Sequence, residues 1–81
     1  MISQNVAVVG LGYVGLPLAL LSARKGWQVY GIDIEKSKID LLNQSISPIA
    51  DPALQAQLSR APKDSLHFNT DFTSKILNPF N

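Results

Sequence analysis

Apolar residues fall in two rhythms along this chain, one continuous and one helical, and their alternation predicts the elements. Residues 6–9 (Val6, Ala7, Val8, Val9) are apolar without a break. That is the pattern of a strand inside a parallel sheet with helices over both faces. Residues 14–25 predict the first helix, with Leu16, Ala19, Leu20 and Ala23 forming a stripe at helical spacing. Pro17 falls in its first turn, where a missing N–H is harmless. Arg24 and Lys25 complement the dipole at its end, and Gly26 suits a left-handed cap. Residues 28–32 predict a second strand, with Trp27 as a packing residue at its entrance. A short helix over 35–43 follows, with Ile39 and Leu42 inward, and then a turn-rich stretch, 44–51, containing Ser47-Pro48. Asp51-Pro52 reads as an N-cap with proline at the first helical position, opening a third helix through about Arg60. Residues 61–64 break it, 65–70 predict a third strand, and Asp71 caps a last turn through Ile76 that Asn78-Pro79 stops.

Strand, helix, strand, helices, strand is the order of one mononucleotide-binding half of a doubly wound α/β sheet, a half Rossmann fold. Its expected spatial order is 3-2-1, with right-handed crossovers. Residues 1–81 are thus expected to form one partial domain. With the other half missing, one edge of the first strand is left unpaired. The expectation is a homodimer through the edge of residues 6–9, antiparallel across a two-fold axis. The alternatives are a different chain at that edge, or a mobile and aggregation-prone piece.

The link between the first strand and first helix is Gly10-Leu11-Gly12-Tyr13-Val14-Gly15, and an acid, Asp33, ends the second strand. Glycines alone are a weak signal; strand, helix and acid falling in place around them make a dinucleotide-binding fingerprint. Gly10 allows the sharp turn out of the strand. Gly12 keeps the surface bare so that a pyrophosphate can approach the main-chain N–H groups at the positive end of the helix. Gly15, without a Cβ, lets the helix lie close to the strand. Asp33 stands near the roughly twenty residues past the glycines expected for the acid that accepts from the adenosine ribose. Its charge opposes a 2′-phosphate and so favours NAD over NADP, a preference softened by Lys36 and Lys38, since a basic residue just past the acid can reach the ribose or a phosphate. A strand-to-helix turn that binds nothing is the competing reading of the glycines. Asp33-Ile34-Glu35-Lys36 also fits a helix N-cap with acidic first-turn residues, and both roles can hold together. For Lys36 and Lys38 the spacing favours a solvated helix face.

Composition narrows the classes further. A chain of 81 residues buries only about 60 to 65% of its extended surface, so stability is marginal. With 46% hydrophobic and 16% charged residues it belongs with globular cores rather than disordered chains. A net charge of +1 with no basic cluster offers no footprint for nucleic acid. Neither a membrane span nor the basic flank of a signal peptide is present, which makes the cytoplasm the expected location. There is no cysteine, hence no disulfide, thiolate metal site or cysteine nucleophile, and His67, the one histidine, reads as structural or surface.

The run from Val6 to Ala19, and above all its core Gly12-Tyr13-Val14-Gly15-Leu16-Pro17, resembles the start of the UDP-glucose/GDP-mannose dehydrogenase family. Tyr30-Gly31-Ile32-Asp33-Ile34, Lys38, Asn43 through Ser47-Pro48-Ile49, and Thr70-Asp71-Phe72 extend the resemblance, which leans toward the UDP-N-acetylhexosamine branch. It implies an enzyme of two Rossmann-type domains joined by a long helix, oxidising the C6 hydroxyl of a nucleotide sugar to a carboxylate with two NAD. By matching position it implies cofactor residues only: Gly10, Gly12 and Gly15 with the amides of Tyr13 and Val14 at the pyrophosphate, and Asp33 with Lys38 at the adenosine ribose. No catalytic residue carries over, because the family's second oxidation passes through a cysteine thioester and its other active-site residues lie far downstream. After Phe72 the pattern departs from the family, so the chain reads as a truncated NAD-binding fragment of a UDP-sugar 6-dehydrogenase, inactive by itself. The alternative reading is a non-catalytic dimerisation or partner-binding module retaining part of the fold. A dehydrogenase of the hydroxyacid or 6-phosphogluconate type, which usually lacks Gly-Tyr-Val-Gly-Leu-Pro, ranks third.

Overall fold

Three parallel strands alternate with three helices in a computed structural model that describes residues 4–71. The strands are β1 (Asn5–Val9), β2 (Gln28–Ile32) and β3 (Leu66–Asn69), in the spatial order β1-β2-β3. The helices are α1 (Gly15–Arg24), α2 (Lys36–Asn43) and α3 (Pro52–Arg60), with a single 3-10 turn, Lys63–Ser65, leading into β3. This is the expected half Rossmann fold. The register sets Val9 beside Ile32 and Ile32 beside Asn69, so all three strands end together at the edge where the loops before α1 and α2 begin. The last turn expected from Asp71 through Ile76 lies largely outside the described residues.

The turns follow from local chemistry. Gly26 takes φ +92° after α1, while its N–H donates to Ala23 O and that of Trp27 donates to Ser22 O, which closes the helix in a Schellman motif. The same pair of bonds ends α2, from Ser45 N to Leu42 O and from Ile46 N to Leu41 O. There the left-handed residue is Ser45, at φ 61°. Asp51 caps α3 as expected, its Oδ1 accepting from Ala53 N at 2.9 Å and Leu54 N at 3.2 Å, with Pro52 in the first turn. Gln55 on α3 holds the preceding loop by donating to Ser45 O and accepting from Ser47 N.

One core joins Leu11, Leu16, Leu20, Val29, Ile39, Leu42, Leu54 and Leu58, with Val6, Trp27, Leu66 and Phe68 packed against it. Every helix therefore lies on the sheet face that carries Val6, Val8, Val29 and Phe68. This corrects the expectation of helices on both sides of β1: among the described residues they cover one side only. On the other face Ala7 and Val9 are exposed, Tyr30 and Ile32 form a separate small cluster, and His67 stacks on Tyr30 at 4.8 Å. An unbroken apolar run reports that a strand sits among apolar neighbours, and does not report which layer supplies them.

Candidate functional site

Gly10 leaves β1 at φ +90°, a left-handed conformation that glycine adopts without strain, and its N–H donates to Ile32 O at 2.7 Å. Leu11 follows with its side chain fully buried in the core and its N–H donating to Asp33 Oδ2 at 2.9 Å. The chain then rises into the open. Among the described residues, its chain neighbours aside, nothing lies within 4 Å of where a Cβ on Gly12 would stand, and Tyr13 and Val14 are 83% and 81% exposed. Gly15 is the reverse case, because a Cβ there would collide with the carbonyl of Gly10. The two glycines thus meet opposite demands: Gly15 is required by the protein's own packing, while the space over Gly12 is left clear by it.

Helix α1 starts without a cap. Val14 stands at the N-cap position, no side chain accepts a bond there, and the first turn holds no acidic residue. Among the described residues no protein acceptor takes the N–H of Gly12, Tyr13 or Val14. Helix α3, capped by Asp51, shows what an ordinary start looks like in this same chain. Three main-chain donors at the positive end of a helix, beside bare surface, are chemically suited to a phosphate group. An open groove of about 560 Å³ runs from there along β1, lined by Val6 to Val9, the glycine loop and Leu18.

Asp33 ends β2 and is only 8% exposed. Its Oδ1 accepts from Glu35 N at 3.0 Å, its Oδ2 accepts from Leu11 N, and Lys38 Nζ lies 3.6 Å from Oδ2. These neighbours hold its pKa below the ordinary value, first the Glu35 N–H, then the Leu11 N–H, with the Lys38 charge adding against the opposing effect of burial. Asp33 is therefore a carboxylate at neutral pH. It is not the N-cap of α2; that position is Glu35, and Asp33 closes a turn just before it. Lys38 does not occupy a solvated face. It is half-buried between Asp33 and Glu35, whereas Lys36 is exposed and pairs with Asp40.

All the residues singled out in the sequence thus converge on the end of the sheet: Gly10, Gly12, Tyr13, Val14 and Gly15 in one loop, with Asp33 and Lys38 beside it. Two contributors escaped the sequence reading. Gly31 is needed in β2 because a Cβ there would come within 2.8 Å of the Phe68 ring and 3.1 Å of Leu11. Ile34, next to Asp33, is 91% exposed and presents an apolar surface at the rim of the site.

Residues 4–79 match the sequence profile of the UDP-glucose/GDP-mannose dehydrogenase family, NAD binding domain. GDP-mannose 6-dehydrogenase of Pseudomonas aeruginosa is 39% identical over 75 residues, which is 91% of this chain and 17% of that enzyme. UDP-N-acetyl-D-mannosamine dehydrogenase of Pyrococcus horikoshii is 40% identical over 55 residues, or 68% of this chain and 13% of that enzyme. Among solved structures, the UDP-N-acetyl-mannosamine dehydrogenase of Staphylococcus aureus superposes with a TM-score of 0.79 at 34% identity, over 85% of this chain and 17% of the other. A ternary complex of GDP-mannose dehydrogenase from Pseudomonas aeruginosa gives 0.78 at 39% identity, over 91% and 17%. The chain thus spans about 17% of the length of the first relatives it matches, and in fold, glycine loop and sequence it belongs to the UDP-glucose/GDP-mannose dehydrogenase family.

Proposed function

We propose that this chain is the NAD-binding, amino-terminal part of a nucleotide-sugar 6-dehydrogenase, and that the loop Gly10 to Gly15 with Asp33 holds the adenosine diphosphate half of the cofactor. The observation that carries the reading is the uncapped start of α1, where the N–H groups of Gly12, Tyr13 and Val14 meet no acceptor among the described residues, beside an unobstructed Gly12. In that role the amides of Tyr13 and Val14 donate to the diphosphate. Gly10 turns the chain, and Gly15 brings the helix against the strand. Asp33 still has lone pairs free, since each carboxylate oxygen offers about two and only one on each meets an N–H, so it accepts from the ribose hydroxyls. Lys38 stands beside it, and the carboxylate disfavours a 2′-phosphate. NAD, once bound, supplies the hydride acceptor; this chain's own residues bind and orient it. The sugar-oxidising groups belong to other parts of the family's enzymes, so we assign this stretch the cofactor and not the chemistry. Relatives acting on GDP-mannose and on UDP-N-acetyl-D-mannosamine are similar at like identity, which supports the nucleotide-sugar class; the lean toward UDP rests on the sequence resemblance alone.

Calorimetric titration with NAD and with ADP-ribose tests this. Both bind the folded wild type, and Gly12→Val abolishes binding while leaving the thermal transition in place, because a Cβ at this position has no described atom beyond its chain neighbours within 4 Å. Absence of heat with either ligand in a folded sample refutes the reading.

The outer edge of β1 supports a second function alongside the first. No strand pairs with it among the described residues, and Val9, Val14 and Leu18, which line the groove along it, are exposed. We propose that a second copy adds its own β1 there, antiparallel, as a homodimer.

A further inference from the structure

Asp33 is usually valued in such a site for what it offers the ligand, yet here both its oxygens already serve the protein. Oδ2 takes the N–H of Leu11, 22 residues away in sequence and in the middle of the glycine loop, by a buried bond of 2.9 Å. Oδ1 takes the N–H of Glu35 at the entrance to α2. Lys38 Nζ, on that helix, approaches Oδ2 from 3.6 Å. The loop is therefore pinned at three points before Gly12: Gly10 N on the carbonyl of Ile32, Leu11 N on the carboxylate, and the Leu11 side chain in the core against β2. Residues 12–14 start from a fixed origin.

We infer that Asp33 is a positioning residue for diphosphate recognition, latching the glycine loop through Leu11 N–H so that the donors of Gly12, Tyr13 and Val14 are arranged before any ligand arrives. The inference rests on the proposed binding of the adenosine diphosphate half, and it adds a contribution that does not pass through the ribose. Electrostatics separates the two contributions. Removing a negative charge beside an anion site should, by itself, tighten the binding of a diphosphate. A variant without the carboxylate that binds a diphosphate more weakly, when that ligand has no ribose hydroxyls to lose, has lost the loop's arrangement.

The test compares ADP with 2′,3′-dideoxy-ADP, which keeps the diphosphate and adenine but lacks both ribose hydroxyls, on wild type and on Asp33→Ala. Asp33→Ala weakens 2′,3′-dideoxy-ADP by about tenfold or more, the scale of a lost hydrogen bond to a charged group. Unchanged or tighter binding of 2′,3′-dideoxy-ADP overturns the latch. Wild type that binds neither nucleotide sinks the functional reading instead, and a second measurement then decides the latch without ligand. In the ligand-free wild type the Leu11 amide hydrogen exchanges at least tenfold more slowly than those of Tyr13 and Val14, and that protection falls in Asp33→Leu, the variant of similar size to use should Asp33→Ala not fold, because it leaves no side-chain oxygen to accept. Equal exchange at Leu11, Tyr13 and Val14 in the wild type, or protection at Leu11 unchanged in Asp33→Leu, overturns it.

Discussion

Asp33 shows how a single side chain couples the glycine loop to the acid end of a titration. Its pKa lies below the ordinary 3.8 in the folded protein, so the folded state binds the proton less readily than the unfolded chain. The stability it contributes is fully present above that ordinary value and is lost as pH falls through the lower folded one. Acid unfolding followed by circular dichroism should be shallower in this interval when Asp33 is replaced by Asn; an unaltered acid limb would refute the assignment. At this scale the sequence was legible where a residue answers to its own neighbours in the chain. Gly10 and Gly26 sit at turns and take positive φ as expected. It was opaque where the partner arrives through the sheet register: the Leu11 N–H on Asp33, the Phe68 ring over Gly31 and the carboxylates flanking Lys38 are all set by tertiary packing.

Among the elements, α1 and α2 end with the same pair of hydrogen bonds, but one uses Gly26 and the other Ser45 as the left-handed residue. A side chain in that conformation costs about 1–2 kcal/mol. Glycine removes the strain while adding about 0.4–1 kcal/mol of unfolded-chain entropy. Ser45→Gly should therefore raise stability by about 0.5–1 kcal/mol, a net of those two effects. Thermal unfolding should show a midpoint a few degrees higher, by the size scaling for a domain of this length; a lower midpoint would contradict the capping role. The core faces of α1 and α2 were readable from their apolar stripes, since Leu16, Ala19, Leu20, Ala23, Ile39 and Leu42 are all buried. The end of α2 at Asn43 was readable too, but its left-handed cap was not, because serine carries no signal for that conformation. Nor was the role of Gln55, whose side chain takes over two main-chain groups of the loop before α3.

For the molecule as a whole, the strand order followed from reading the chain as a mononucleotide-binding half: two right-handed crossovers that step in the same direction leave β1 at one edge and β3 at the other. What handedness does not settle is the fate of that first edge. A homodimer through β1 predicts, by light scattering on a size-exclusion column, twice the 8.8 kDa mass of one chain, falling as the sample is diluted. A folded species of single mass at every concentration would refute it. The one-sided helical layer was the larger misreading, because Val9 and Ala7 made β1 apolar on a face that no described helix covers.

The parallel pairing also governs the order in which this chain acquires structure. Every rung between β1 and β2 joins residues 23 apart, as Asn5 with Gln28, and every rung between β2 and β3 joins residues 37 apart, as Val29 with Leu66. No turn can zip two of these strands together, so each pairing waits on the closure of a long loop. During synthesis the valines of β1 emerge from the ribosome with no strand to pair with until Gln28–Ile32 has followed, an interval in which that edge is open to any other extended chain.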